Sequence, residues 1–187
     1  MTRNKSNVRI FGDAGSEVFL APMGSTLPTA VSTDPASPFV GLGWLTEDGI
    51  DLDINVDIYK AKGLGGATLR TKVTGTERTI KFQCSEDTPG VRDLYYGITA
   101  ADTVTGTAPN KVAKTQTLPE RLPTIARAAV FKNVDDTIIE FLCCTKIEIT
   151  DRGTLSYKAD KEKIYEFTAE LVGDVYILTN DPTFVGP

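Results

Sequence analysis

Residues 49–58 decide the fold, and they read Gly-Ile-Asp-Leu-Asp-Ile-Asn-Val-Asp-Ile. From residue 50 onward, a branched apolar side chain occupies every even position, and aspartate or asparagine occupies every odd one. Because successive side chains of a β-strand point to opposite faces of a sheet, this alternation predicts a strand with one buried face and one acidic face. A helix would scatter the aspartates around its circumference, and Asp, Asn and β-branched residues also disfavour helix.

A second alternating run follows after an interruption. Residues 59–69 are polar and rich in glycine, and residues 70–84 then alternate again. We therefore expect two central strands joined by a long protruding loop over about residues 57–70. A hairpin arm of eight residues extends roughly 27 Å at about 3.3 Å per residue. This exceeds the radius of gyration of about 16 Å for a domain of this size, so the hairpin can reach another subunit.

The rest of the chain predicts an all-β domain with one short helix. Residues 86–97 carry the helical signature, because Thr88 can cap the helix, Pro89 suits its first position and Gly97 suits its end. Residues 98–124 are a long polar connection. The remaining strands are expected at residues 17–21, 125–134, 138–149 and 165–172.

These elements together predict a β-sandwich or barrel with a flanking α-helix. We expect a single domain over residues 1–187, with an extended N-terminal arm (about 1–16) and a C-terminal arm (about 176–187). A chain of 187 residues that is 41% apolar is long enough to bury a real core.

Composition limits the partners of this chain. Its net charge of −5 argues against tight binding of duplex nucleic acid, which needs clustered Lys and Arg. No apolar run approaches the ~20 residues of a membrane span, and the polar residues 1–9 lack the apolar core of a signal peptide. We therefore expect synthesis in a cytoplasm and no membrane partner.

The acidic strand matches the spacing that opens a calcium-binding EF-hand loop, Asp51-x-Asp53-x-Asn55-x-Asp57. That loop also needs Gly at its sixth position and Glu at its twelfth, where this chain has Val56 and Lys62. The absence of histidine removes Ser-His and Cys-His pairs and the commonest zinc ligand. Gly63-Leu64-Gly65-Gly66 lacks the lysine of a phosphate-binding loop. We therefore expect no enzyme, no metal and no cofactor.

The cysteines and the single tryptophan are predicted to be structural. Cys84, Cys143 and Cys144 are odd in number, and the adjacent pair would face opposite sides of one strand. They are therefore expected to be buried free thiols rather than a disulfide framework. Trp44 is predicted to be a core or interface anchor.

Several segments of the chain stand in a characteristic order and spacing. They are Phe39-Val40-x-Leu42-Gly43-Trp44-Leu45-Thr46-Glu47-Asp48-Gly49, the acidic strand, Asp57-Ile58-x-x-x-Lys62-x-x-Gly65-Gly66, Arg70-Thr71, a short helix that ends Leu94-Tyr95-Tyr96-Gly97, and the later Ile149-Thr150-Asp151-Arg152-Gly153. In this order and spacing they resemble the major tail protein (tail tube subunit) of long, non-contractile-tailed bacteriophages (siphophages), notably those that infect actinobacteria.

The resemblance implies a structural virion protein that is made in the host cytoplasm. It implies a β-sandwich whose inner sheet joins a barrel shared by several subunits, hexameric rings that stack into a tube, and DNA that passes through the tube during ejection without specific binding. The implied partners are further copies of the chain, a tape measure protein inside the tube, and tail terminator and tail-tip proteins at its ends.

The resemblance also suggests roles for particular residues. Asp51 and Asp53 are expected to face the lumen, because the apolar phase of their strand turns toward the core. The loop is expected to grip the neighbouring ring through Asp57, Tyr59, Lys60, Lys62, Gly63, Leu64, Gly65, Gly66 and Arg70. The alternative hypothesis is a monomeric β-sandwich that serves as a binding or adhesion module, which would cluster exposed aromatic residues on its loops or on one sheet face.

Overall fold

The computed structural model describes residues 4–31, 34–98, 104–105, 112–113 and 118–185. A 3-10 turn at Lys5–Asn7 precedes the strands, and the two helices are α1 (Pro89–Tyr96) and α2 (Pro182–Val185). The strands are β1 (Glu17–Ala21), β2 (Val40–Gly41), β3 (Leu45–Lys62), β4 (Thr68–Cys84), β5 (Val104–Thr105), β6 (Val112–Ala113), β7 (Ile125–Asp135), β8 (Ile138–Arg152), β9 (Tyr165–Leu171) and β10 (Val175–Thr179).

The strands form one antiparallel sheet of eight strands and a separate pair, β5 with β6. The main path of the large sheet runs β2-β1-β7-β8-β9-β4-β3, which places β3 at one edge. Strand β8 is long enough to pair with β10 along its first half and with β9 along its second half, while β7 occupies its other side. This confirms the all-β prediction with a short helix.

The sheet folds over one main apolar core, to which β1, β4, β7, β8, β9 and α1 all contribute. Phe82 of β4 stacks on Phe167 of β9 with ring centroids 5.2 Å apart. It also meets Phe131 of β7 edge-on at 5.8 Å, although β4 and β7 are not neighbours in the sheet. Such contacts between distant strands require the curvature that closes the sheet around its core.

The opposite face of β1, β7 and β8 is buried as well. A second apolar cluster lies there, where Val31 and Phe39 from the connection between β1 and β2 cover the sheet. Cys143 lies in this cluster and Cys144 in the main core, which confirms that the adjacent cysteines face opposite sides. All three thiols are free and buried, and burial raises the pKa of Cys143 to about 11 and that of Cys84 and Cys144 to about 12.

Helix α1 begins and ends as the sequence predicts. The Thr88 hydroxyl accepts a hydrogen bond from the Val91 N–H, Pro89 opens the helix, and Gly97 adopts the left-handed conformation with φ 68°. Val91 and Leu94 bury the apolar side of the helix in the main core.

Both chain ends contact their own domain more than the sequence predicts. Residues 176–179 belong to strand β10, which pairs with β8, and residues 182–185 form a helix, so the expected C-terminal arm is wrong over those residues. Arg9 forms an ion pair with the buried Asp181 at 2.6 Å, which joins the two ends. Parts of the expected arms (residues 1–3 and 186–187) and most of the expected 98–124 connection lie outside the described residues.

Candidate assembly surface

The hairpin of β3 and β4 extends well beyond the body of the domain. Strand β4 pairs with β9 only from Thr79 to Cys84, and within the described part of the chain β3 has no strand on its outer side. Residues 54–78, here called the distal ribbon, therefore form a two-stranded structure with two open edges. Its nine β3 residues span roughly 30 Å at about 3.3 Å per residue.

The expected loop over residues 57–70 is wrong in extent. Residues 57–62 belong to β3 and residues 68–70 to β4, so only residues 63–67 turn the chain. The Gly63 N–H donates to the Ala67 carbonyl, and Gly65 and Gly66 adopt φ values of 83° and 84°, which favour glycine. Antiparallel pairing continues past the bulge between Asp57 and Ile58, and this long-range pairing outweighs the polar composition that suggested a loop.

The sequence predicts that the apolar face of β3 is buried. In the single subunit this prediction is wrong for every apolar residue of that face after the first, Ile50. Ile50 packs against the main core, but the next four apolar side chains are between 45% and 55% exposed. They extend beyond the core with the ribbon, and Val73 of β4 lies opposite the last of them. We call this set the apolar stripe, and its members are Leu52, Ile54, Val56, Ile58 and Val73. An apolar stripe on an edge strand invites association with another chain.

The acidic residues of β3 lie on the sheet face opposite the stripe. Asp51 and Asp53 are exposed and pair with Lys81 and Thr79. Glu170 lies beside Thr79 and Glu148 beside Glu170, so the row that begins at Asp53 crosses four strands. Carboxylates outnumber the cations on this face, which are Lys81, Lys146 and, toward the turn, Lys72 and Arg70. The acidic members are Asp51, Asp53, Asp57, Glu77, Glu148, Asp151, Glu166 and Glu170.

Sequence reasoning missed the contribution of β8 and β9 to this acidic face. Glu166, Thr168 and Glu170 form the polar phase of β9, and that alternation is visible in the sequence. Their position beside β4 is a property of the sheet order, because more than 80 residues separate these glutamates from their β4 partners. The acidic face is therefore assembled by tertiary pairing.

Trp44 is 62% exposed, so the prediction that it anchors the core is wrong, and the interface alternative remains. Carboxylates hold the backbone around it, since Glu17 accepts from the Gly43 N–H and Glu86 accepts from the Trp44 N–H, each at 3.0 Å. Gly43 adopts φ 83° there, and the indole then borders a groove of about 290 Å³ at the start of β3.

The residues predicted for the ring contact lie along the distal ribbon. On β3 are Asp57, Tyr59, Lys60 and Lys62, in the turn are Gly63, Leu64, Gly65 and Gly66, and on β4 is Arg70. All except Gly63 are exposed. The ribbon therefore brings these residues together on one projection, away from Trp44 at the opposite end of β3.

The geometry does not form a calcium site. The four residues with EF-hand spacing lie along one face of the extended strand β3, where they cannot wrap around an ion. Among the described residues no group of three or more acidic, cysteine or histidine side chains is placed to hold a metal. In the same part of the chain, no helix is long and apolar enough to cross a membrane.

A β-domain with an open-edged ribbon and an uncovered apolar stripe is typical of a subunit that associates with other chains. The family model for the phage tail tube protein matches residues 1–175, so the chain belongs to that family. The chain is therefore a structural subunit of a phage tail tube and a component of the virion. This confirms the resemblance at the level of the family.

Comparison with solved structures gives distant matches. The chain is 12% identical to a subunit from the tail of an empty gene transfer agent (GTA) particle, with a TM-score of 0.47 and coverage of 95% of this chain and 99% of that chain. It is 8% identical to a chain of the PVC sheath-tube complex, an extracellular contractile injection system in the extended state, with a TM-score of 0.44 and the same coverage. No curated protein matches this chain.

Proposed function

We propose that the subunit closes into hexameric rings, that the rings stack into the tail tube of a siphophage with an actinobacterial host, and that the tube conducts DNA without catalysis. The apolar stripe is the observation that supports ring closure. In a ring, the open edge of β3 pairs with a neighbouring subunit, which also covers the half-exposed side chains.

Burial of the apolar stripe alone does not supply enough free energy for the subunits to associate. Full burial of a Val, Leu or Ile side chain contributes about 1.5–3 kcal/mol, so burial of the exposed half of the five stripe residues contributes roughly 4–8 kcal/mol. Association costs about 4–15 kcal/mol in lost translational and rotational freedom. Backbone pairing along the open edges of the ribbon, and contacts between rings, must therefore supply the rest.

We place the acidic face toward the lumen, with Asp51 and Asp53 as its β3 members. Repeated around a ring, these carboxylates repel DNA phosphates within a Debye length of about 8 Å at physiological salt. Lysine or arginine at the same positions would bind the duplex through counterion release. DNA then passes without specific binding.

The tape measure protein inside the tube and the tail terminator and tail-tip proteins at its ends are the further partners in this proposal.

Electron microscopy of the purified protein tests the proposal. We expect rings or tubes whose end views have six-fold symmetry, formed in a concentration-dependent way. Dispersed 20.2 kDa monomers at every concentration would contradict it and support the monomeric binding module instead. A different rotational symmetry would contradict the hexamer while leaving the tube in place.

A further inference from the structure

The turn end of the hairpin carries positive charge only. Residues 59–72, here called the tip, contain four cations and no carboxylate, in a chain whose net charge is −5. All four are exposed, and none forms an ion pair with a described residue. Leu64 at the turn is fully exposed, and Leu69 beside it is largely exposed. The cations are Lys60, Lys62, Arg70 and Lys72.

The opposite end of the same hairpin has the complementary chemistry. The groove at the start of β3, here called the basal groove, is lined by the exposed rings of Trp44 and Phe11 and by three carboxylates. Its described lining contains no lysine or arginine. Glu47 and Asp48 are exposed, and their carboxylates form no ion pair or hydrogen bond with a described residue, while Asp13 accepts a hydrogen bond from the Asp136 N–H.

The tip cannot reach the groove of its own subunit. Strand β3 runs from the groove to the tip, and the stretch from Ile50 in the groove to Tyr59 in the tip extends roughly 30 Å at about 3.3 Å per residue. The occupant of the groove must therefore come from elsewhere, and another copy of this chain offers unpaired cations with exposed leucines. The tip and the groove are different surfaces at opposite ends of the hairpin. When such a contact joins identical subunits, each added subunit leaves a free tip or groove for the next one, so the contact generates a filament.

We infer that the tip of one subunit docks into the basal groove of a second copy in the adjoining ring. Lys60 and Lys62, which share one face of the ribbon, face the groove carboxylates, and Leu64 packs against the aromatic rings. The inference rests on the proposed tube, and it adds the acceptor surface of the ring-to-ring contact. Because the charges are exposed, salt weakens the contact as the Debye length shrinks from about 8 Å at 0.15 M to about 3 Å at 1 M.

Charge reversal and its rescue test the inference. We expect K60E/K62E at the tip, and separately E47K/D48K in the groove, each to raise the concentration required for tube formation by about tenfold or more, because like charges then meet. The combined four-residue variant restores the complementary pairing and should assemble close to the wild-type concentration. K158E/K161E is the matched control, since these exposed lysines lie off the hairpin and their reversal changes the net charge as the tip variant does.

The readout is the amount of protein that sediments as tubes, with circular dichroism to establish that each variant is folded. The inference would be overturned if K60E/K62E assembled normally or if the combined variant showed no rescue. In either case, tubes formed by the wild-type protein would leave the proposed function intact. Absence of wild-type tubes would instead contradict the proposed function. A different outcome would assign the tip to nucleic acid and also overturn the inference. In that outcome, wild-type subunits bind duplex DNA, and K60E/K62E loses this binding but assembles normally.

Discussion

At the scale of single residues, Asp87 connects α1 to β9. Its carboxylate accepts hydrogen bonds from Arg92 of α1, which uses both Nε and Nη2, from Lys163 at 3.1 Å and from the Tyr165 hydroxyl at 2.7 Å. The hydrogen bonds from Arg92 are the main cause of a pKa for Asp87 well below its usual range, with Tyr165 and Lys163 as further causes. A carboxylate with a lowered folded-state pKa stabilises the fold above its unfolded-state pKa and stops doing so as the pH falls through the folded-state value.

We predict that D87N lowers the free energy of unfolding by about 1 kcal/mol at pH 7, a modest value because the carboxylate is partly exposed. The difference from wild type should narrow below about pH 4, where the unfolded chain protonates. Urea unfolding of dilute subunits at a series of pH values measures it. D160N at an exposed site is the matched control, and a pH-independent difference would contradict the assignment.

At the scale of elements, the distal ribbon is a two-stranded hairpin outside the core. An isolated hairpin of two strands is marginally stable in water, so packing against another chain would add to the stability of the ribbon. The apolar stripe is the surface suited to that packing. Its residues contribute little to the stability of a single subunit, because each remains about half exposed there.

We predict that I54T/V56T leaves the free energy of unfolding of the subunit within about 0.5 kcal/mol of wild type, since threonine keeps the β-branch and the sites are exposed. The same variant should fail to form tubes, because the apolar contact between subunits is lost. Sedimentation and electron microscopy measure assembly. I177T, at a 57% exposed site on β10, is the control and should assemble normally. Tubes of I54T/V56T at the wild-type concentration would exclude the stripe from the interface.

At the scale of the whole molecule, the fold separates an apolar surface from an acidic one across the thickness of a single sheet. The stripe is available for subunit contacts, and the carboxylates of β3, β4, β8 and β9 share the other face. The two surfaces can therefore be altered independently.

We predict that D51K/D53K still forms tubes, because the stripe is unchanged, but slows DNA ejection from phage that carry the variant. The delay should be largest at low salt and should shrink as salt rises, since counterion release drives the binding. A time course of ejection at several salt concentrations measures the effect. D160K/E162K is the matched control, with the same change of charge at exposed sites off the sheet face. A tube structure with Asp51 and Asp53 on its outer surface would contradict the prediction.

The sequence by itself determined the elements that depend on local geometry. The alternation of residues 50–58 is confirmed as strand, and Thr88, Pro89 and Gly97 occupy the predicted positions of α1. Adjacent cysteines face opposite sides because the side-chain period of a strand is two residues, whatever its surroundings. Family membership was also readable from the order and spacing of short segments.

Only the tertiary structure decided which of these surfaces are covered. The apolar face of a strand shows the same alternation in the sequence whether it is buried by the core of its own domain or by another chain. The sequence therefore could not show that burial within the subunit stops at Ile50. The exposure of Trp44, the continuation of the strands through residues 57–62, and the pairing of β10 with β8 likewise depend on contacts between residues far apart in sequence. These long-range pairings, which no local pattern encodes, place the cationic tip and the acidic groove at opposite ends of one hairpin.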